Sequence, residues 1–167
     1  MDKLWSPWRT QYIESFKNKK ETNSCIFCDA VNEKVEDDES LKVYSTDNCF
    51  VVLNLYPYNS GHLLIIPNKH TSSIFDLDKN LVSEIMETVK ISIRAIEKVM
   101  EPQGFNFGAN LGKAAGAGID EHIHFHIIPR WNSDTNFMPV IGNVKVISQD
   151  LLQTKKNLIN AFSQILK

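Results

Sequence analysis

Several features are scarce in this 167-residue chain. No apolar run approaches the roughly 18 residues that a membrane-spanning helix needs, and no basic stretch leads into an apolar one near Met1. Neither a membrane span nor a signal peptide is expected, and the cytoplasm is the expected location. Charge of one sign is not in excess: 18 Lys and Arg stand against 20 Asp and Glu, for a formal net charge of -2. That excludes a broad electrostatic grip on nucleic acid, so any phosphate binding has to be local. Cysteine is limited to three, an odd number, and a disulfide framework is not expected. There is no internal repeat and no low-complexity tract. Histidine is also scarce, at five, which makes its placement informative.

Three of the five histidines alternate in "EHIHFHIIPRW" (121–131). The surrounding chain divides into an aromatic-rich arm (1–24) containing "LWSPWRTQYIESF" and one domain (25–167). Within the domain, "VNEKVEDDES" (31–40) is acidic and reads as a solvated loop. "CFVVLNL" (49–55) and "HLLIIP" (62–67) read as strands joined by the turn residues "YPYNSG", which makes a hairpin. Leu81, Ile85, Val89, Ile93, Ile96 and Met100 recur every three or four residues, so 78–100 is an amphipathic helix with Asp76 or Asp78 as its N-cap. "GFNFGANLG" (104–112) alternates like a strand, and "KAAGAG" (113–118) is a loop of small residues. "EHIHFHII" (121–128) is a strand stopped by Pro129. Leu151, Leu158, Phe162, Ile165 and Leu166 mark a second helix over 149–166, capped by Ser148. Strands joined by tight turns, with one long helix between two strand pairs, predict an α+β fold with an antiparallel sheet, one long central helix and a C-terminal helix.

Alternation along a strand places His122, His124 and His126 on one face and Ile123, Phe125 and Ile127 on the other, which should be the buried one. Core packing accounts for the apolar face but not for the imidazoles. One metal held by all three histidines fits poorly. At about 3.3 Å per residue the outer two stand about 13 Å apart, whereas zinc–nitrogen bonds are about 2.0 Å. Nucleophilic catalysis fits better. Neutral imidazole, with an ordinary pKa of about 6.5, can attack phosphorus and hand the group on as a phosphoramidate. The loop "GKAAGAG" just upstream can aim backbone N–H groups at phosphate oxygens. "CIFC" (25–28) admits a redox pair, half of a metal site, or two buried thiols. His70 in "PNKH" is unexplained by packing, and Cys49 reads as a core thiol.

The residues "HIHFHII", together with "LNLYPYNSGHLLIIP" and "GFNFGANLG", resemble the signature segments of the histidine-triad (HIT) nucleotide hydrolases and transferases. The resemblance covers most of residues 25–131. "LWSPWR", "HIIPRW" and "NFMPVIG" resemble a bacterial branch that includes diadenosine tetraphosphate phosphorylases. The resemblance implies the HIT fold, homodimerisation, and cleavage of an adenine dinucleoside polyphosphate at the α-phosphate. It implies that His124 attacks phosphorus, that His126 assists, and that His62 supports the pair or handles a proton. It implies that Asn54 holds ribose hydroxyls and that Asn110 contacts phosphate. It further implies backbone N–H contacts to phosphate at Ala117 and Gly118, with Phe50 and Leu53 sandwiching the base. A core role for Phe50 is equally consistent. Trp131 is a candidate substrate contact or an interface residue. Some bacterial members bind one structural zinc per chain, which maps to Cys25, Cys28, His70 and His122. Many hydrolases of the family carry glutamine, then Ser or Thr, ahead of the triad; Gly118 and Ile119 stand there instead. This departure shifts weight toward phosphorolysis. Other readings to be separated are a non-catalytic nucleotide-binding module, a nucleoside phosphoramidate hydrolase, and a zinc hydrolase using the histidines directly.

Overall fold

The computed structural model describes residues 25–134 and 149–167. The expected arm (1–24), the "NFMPVIG" stretch and the Ser148 cap lie outside them. Five antiparallel strands form one sheet in the order β1-β2-β3-β5-β4. They are β1 (Lys42–Ser45), β2 (Cys49–Leu53), β3 (Leu63–Pro67), β4 (Gly104–Gly108) and β5 (Phe125–Arg130). The helices are α1 (Ile26–Ala30), α2 (Lys79–Met100) and α3 (Leu151–Ile165). No helix among the described residues is long and apolar enough to cross a membrane.

The expected hairpin is present, with Phe50 opposite Ile66 and Leu53 opposite Leu63. Every residue of β2 and β3 is buried, as continuous apolar runs in a sheet covered on both faces require. The long helix is capped by Asp78, whose side chain accepts from Leu81 N. It lies against β2, β3 and β5, and Cys49 Sγ meets Thr88 Oγ1 at 3.5 Å. Glu84, one turn in from the start of α2, takes hydrogen bonds from Thr46 Oγ1, Asn48 N and Asn48 Nδ2. The helix thereby fixes the β1–β2 turn. α3 packs on α2 and β1, with Tyr44 stacked on Phe162 at 4.9 Å.

Four sequence expectations need correction. The cap of α3 is Asp150, whose carboxylate accepts from Gln153 N, so the helix starts at Leu151. Strand β5 starts at Phe125, not at Glu121, and runs through Pro129 to Arg130. Its pairing with β3 ends at Ile127, so Pro129 has only β4 beside it and its missing N–H costs no hydrogen bond. The histidine face is not open: His122, His124 and His126 are as buried as Ile123 and Ile127. Finally, α1 and β1 were not expected. β1 begins with Lys42, which is buried because its ammonium donates to Val31 O at 2.8 Å and lies over the Phe50 ring.

Candidate active site and metal centre

Two clusters share the segment that leads into β5. The first is built by α1, the end of β3 and His122. Cys25, Cys28, His70 and His122 each offer a ligand atom, and these atoms lie within 4.8 Å of one another. His122 Nδ1 stands 3.4 Å from Cys25 Sγ, 3.7 Å from Cys28 Sγ and 3.3 Å from His70 Nδ1. Cys28 Sγ and His70 Nδ1 are 3.2 Å apart. A tetrahedral zinc, with bonds of about 2.0 Å to nitrogen and about 2.3 Å to sulfur, would set its ligands roughly 3.3–3.7 Å apart. The donor set fits such an ion. The other ring nitrogen of His122 donates to Pro67 O at 2.9 Å, which leaves Nδ1 free for a metal and holds the ring in place.

The second cluster is a chain of imidazoles whose tautomers follow from their partners. Tyr58 N–H donates to His62 Nδ1 at 3.1 Å, and the Asn54 amide stands 3.2 Å from the same atom. A nitrogen that accepts cannot carry hydrogen, so the His62 hydrogen is on Nε2. That group donates to His126 Nδ1 at 2.9 Å. The hydrogen of His126 is then on its own Nε2, a buried donor with no partner among the described residues. Leaving such a donor unmet costs about 1–3 kcal/mol, and an incoming oxygen would recover it. His124 is oriented the opposite way. Its Nδ1–H donates to His122 O at 2.9 Å, which leaves a lone pair on Nε2. The two rings lie 4.9 Å apart. A ring nitrogen with a free lone pair therefore belongs to the imidazole next to a fixed donor.

Burial, and then the neighbouring His124, push His126 down to about 4. It is neutral at pH 7 and donates without carrying charge. Burial also lowers His122, partly opposed by its bond to Pro67. Phe27, on α1, packs its ring 5.6 Å from His122 and 5.1 Å from His124. The Cys-x-x-Cys helix thus bears on His124 as well as on the four residues that could hold a metal.

The structure brings together His62, His124 and His126, and separately Cys25, Cys28, His70 and His122. Asn54 turns toward His62, and its Oδ1 accepts from Tyr56 N. Asn110 Nδ2 reaches Gly116 O at 3.4 Å, closing the stretch just before Ala117 and Gly118. Phe50 and Leu53 are fully buried. They are three residues apart on one strand and so face opposite sides of the sheet, which does not allow one base to lie between them. Trp131 is half-buried, with its N–H donating to Asp134. Sequence reasoning missed Tyr58 and Phe27, whose parts depend on a backbone N–H and a ring contact. The tyrosine lay in a segment read only as a turn.

A family model, the HIT domain, matches residues 35–133. The AP-4-A phosphorylase of Mycobacterium tuberculosis is 38% identical over 167 residues, covering 98% of this chain and 86% of that protein. A zinc-bound histidine triad family protein of Mycobacterium smegmatis superposes with a TM-score of 0.67 at 26% identity, over 85% of this chain and 95% of that one. A histidine triad nucleotide-binding protein of Sulfolobus tokodaii gives a TM-score of 0.68 at 26% identity, over 84% and 93% of the two chains. With the alternating histidines, the buried donor relay and the five-stranded sheet all in place, the chain belongs to the histidine-triad family.

Proposed function

We propose that the protein transfers a nucleotidyl group from an adenine dinucleoside polyphosphate, such as diadenosine tetraphosphate, through a covalent intermediate on His124. One observation carries this reading: the bare Nε2 of His124 beside the N–H of His126. The His124 lone pair attacks the α-phosphorus, an N–P bond forms, and the P–O bond to the leaving nucleotide breaks. That nucleotide departs as a phosphate anion and needs no proton. His126 donates a hydrogen bond to the phosphoryl oxygens, where charge shifts during transfer, and its tautomer is held by His62. An oxygen of inorganic phosphate or water then attacks phosphorus and the N–P bond breaks, so configuration is retained over the two displacements. Asn110 and the 113–118 loop are the proposed phosphate cradle.

The similarity to a mycobacterial AP-4-A phosphorylase over nearly the whole chain supports the substrate class, and Gly118 in place of the common glutamine favours phosphate as acceptor. Zinc at Cys25, Cys28, His70 and His122 belongs to the same reading. With all four positions filled by protein it would be structural, clamping α1 against His122. Homodimerisation is also part of it; the edge of β4, unpaired among the described residues and with Phe107 half-exposed, offers a surface, and sedimentation checks the state.

Product analysis with and without inorganic phosphate tests the reaction. ADP plus ATP indicates phosphorolysis, and AMP plus ATP indicates hydrolysis. No turnover of any dinucleoside polyphosphate or phosphoramidate would refute the enzymatic reading and leave a binding module.

A further inference from the structure

The turn between β2 and β3, "YPYNSG", supplies the Tyr58 N–H that decides where the His62 hydrogen sits. Such a turn is not rigid by composition, yet this one is tied down to the strand that carries His126. Asn59 Nδ2 donates to Pro129 O at 3.0 Å and to Asp134 Oδ2 at 2.8 Å. Asn59 O accepts from His62 N at 3.2 Å. Asp134 is itself fixed: Arg130 reaches it with Nε at 2.6 Å and Nη2 at 2.8 Å, and Trp131 N donates at 3.2 Å. The third nitrogen of the guanidinium, Nη1, binds Asn106 Oδ1 on β4 at 2.6 Å. The Asp134 side chain is only 9% exposed. A two-toothed ion pair of this kind holds geometry as well as charge.

We propose that Asn59 and Asp134 are positioning residues that set the hydrogen on the His62–His126 pair. The pair has two neutral arrangements. In one, His62 Nε2–H donates to His126 Nδ1 and His126 points N–H outward. In the other, both hydrogens move, His126 Nδ1–H donates back to His62, and a bare His126 Nε2 faces the phosphate oxygens. The second arrangement puts His62 Nδ1–H against the Tyr58 N–H and the Asn54 amide, donor against donor. Asn59 holds the first of these in place from 59 to 134, across β5. Cutting the tether leaves Asn54 as the remaining donor and lets the second arrangement populate. The kinetic consequence rests on the nucleotidyl-transfer reading; the hydrogen placement does not.

The full chain, labelled with 15N-histidine, reports both hydrogens through long-range proton–nitrogen correlations. Wild type is expected to show His62 and His126 as Nε2–H. In Asn59→Ala, His126 is expected to shift toward Nδ1–H, with kcat on diadenosine tetraphosphate falling about tenfold, less than the roughly 10²–10³-fold lost when one donor to the developing charge is removed outright, and KM within about twofold. Asp134→Asn, which keeps an amide oxygen for Asn59 but loses the ion pair, is expected to shift part-way and serves if the first variant does not fold. His126 remaining Nε2–H in a folded variant overturns the proposal whatever happens to the rate. So does a wild type with Nδ1–H. Absence of turnover by wild type would refute the nucleotidyl reading alone.

Discussion

Replacing Gly61 with alanine perturbs the turn ahead of His62 in a way that can be worked out from coordinates. Gly61 has φ +76°, and a Cβ there would lie 2.5 Å from Met100 Sδ, 2.9 Å from Met100 Cε and 3.4 Å from Pro129 Cγ. The left-handed backbone costs an L residue about 1–2 kcal/mol. The thioether end of Met100 is flexible and can swing away, which adds about 1 kcal/mol for displaced packing. The sum, about 2–3 kcal/mol, is a large part of the 5–15 kcal/mol that domains of this kind have. Urea unfolding midpoints of wild type, Gly61→Ala, Met100→Ala and the double variant separate the two parts. The backbone part survives in the double variant, and the contact part, about 1 kcal/mol, appears as coupling. A loss below about 0.5 kcal/mol for Gly61→Ala alone would refute the description of this turn, since alanine has no side-chain hydrogen bond to offset the cost of that backbone.

Other perturbations have directions fixed by the same geometry. His126 titrates near 4 in the folded chain and near 6.5 unfolded. Above pH 6.5 both states are neutral and its contribution is whole; as pH falls from 6.5 to about 4 the unfolded chain takes the proton first and stability drops. Subtracting the stability–pH curve of His126→Gln should isolate that slope, and a flat difference would contradict the buried neutral imidazole. Metal analysis is expected to find one zinc per chain, lost in Cys28→Ser. Chelation is expected to lower the melting temperature rather than merely stop turnover, because a structural ion contributes to folding. A chain that melts unchanged without metal would refute a structural role.

Legibility in the sequence followed local periodicity. The helix Lys79–Met100 and its Asp78 cap were readable because apolar residues recur on one face and a carboxylate precedes them. The hairpin was readable from two β-branched runs around turn residues. β1 was hidden because Lys42 reads as solvent-facing, and only the fold shows the carbonyl and ring that receive its ammonium. α1 has five residues, too few for any period to show. The three histidines were readable as a group, and their division between two clusters agrees with the 13 Å argument. Their burial was not readable, because it depends on α1 folding back to place Phe27 on His122 and His124. Likewise the donor on His62 is a backbone group, which carries no residue signature.

The central claim is that His124 takes the nucleotidyl group. Turnover of diadenosine tetraphosphate stopped with alkaline denaturant, followed by intact-mass and peptide mass spectrometry kept at neutral to alkaline pH, where an N–P bond survives, tests it directly. One adenylyl group per chain is expected on His124, lost on longer incubation with phosphate or water and absent in His124→Asn. An adduct on another residue, or full turnover by His124→Asn, would contradict it.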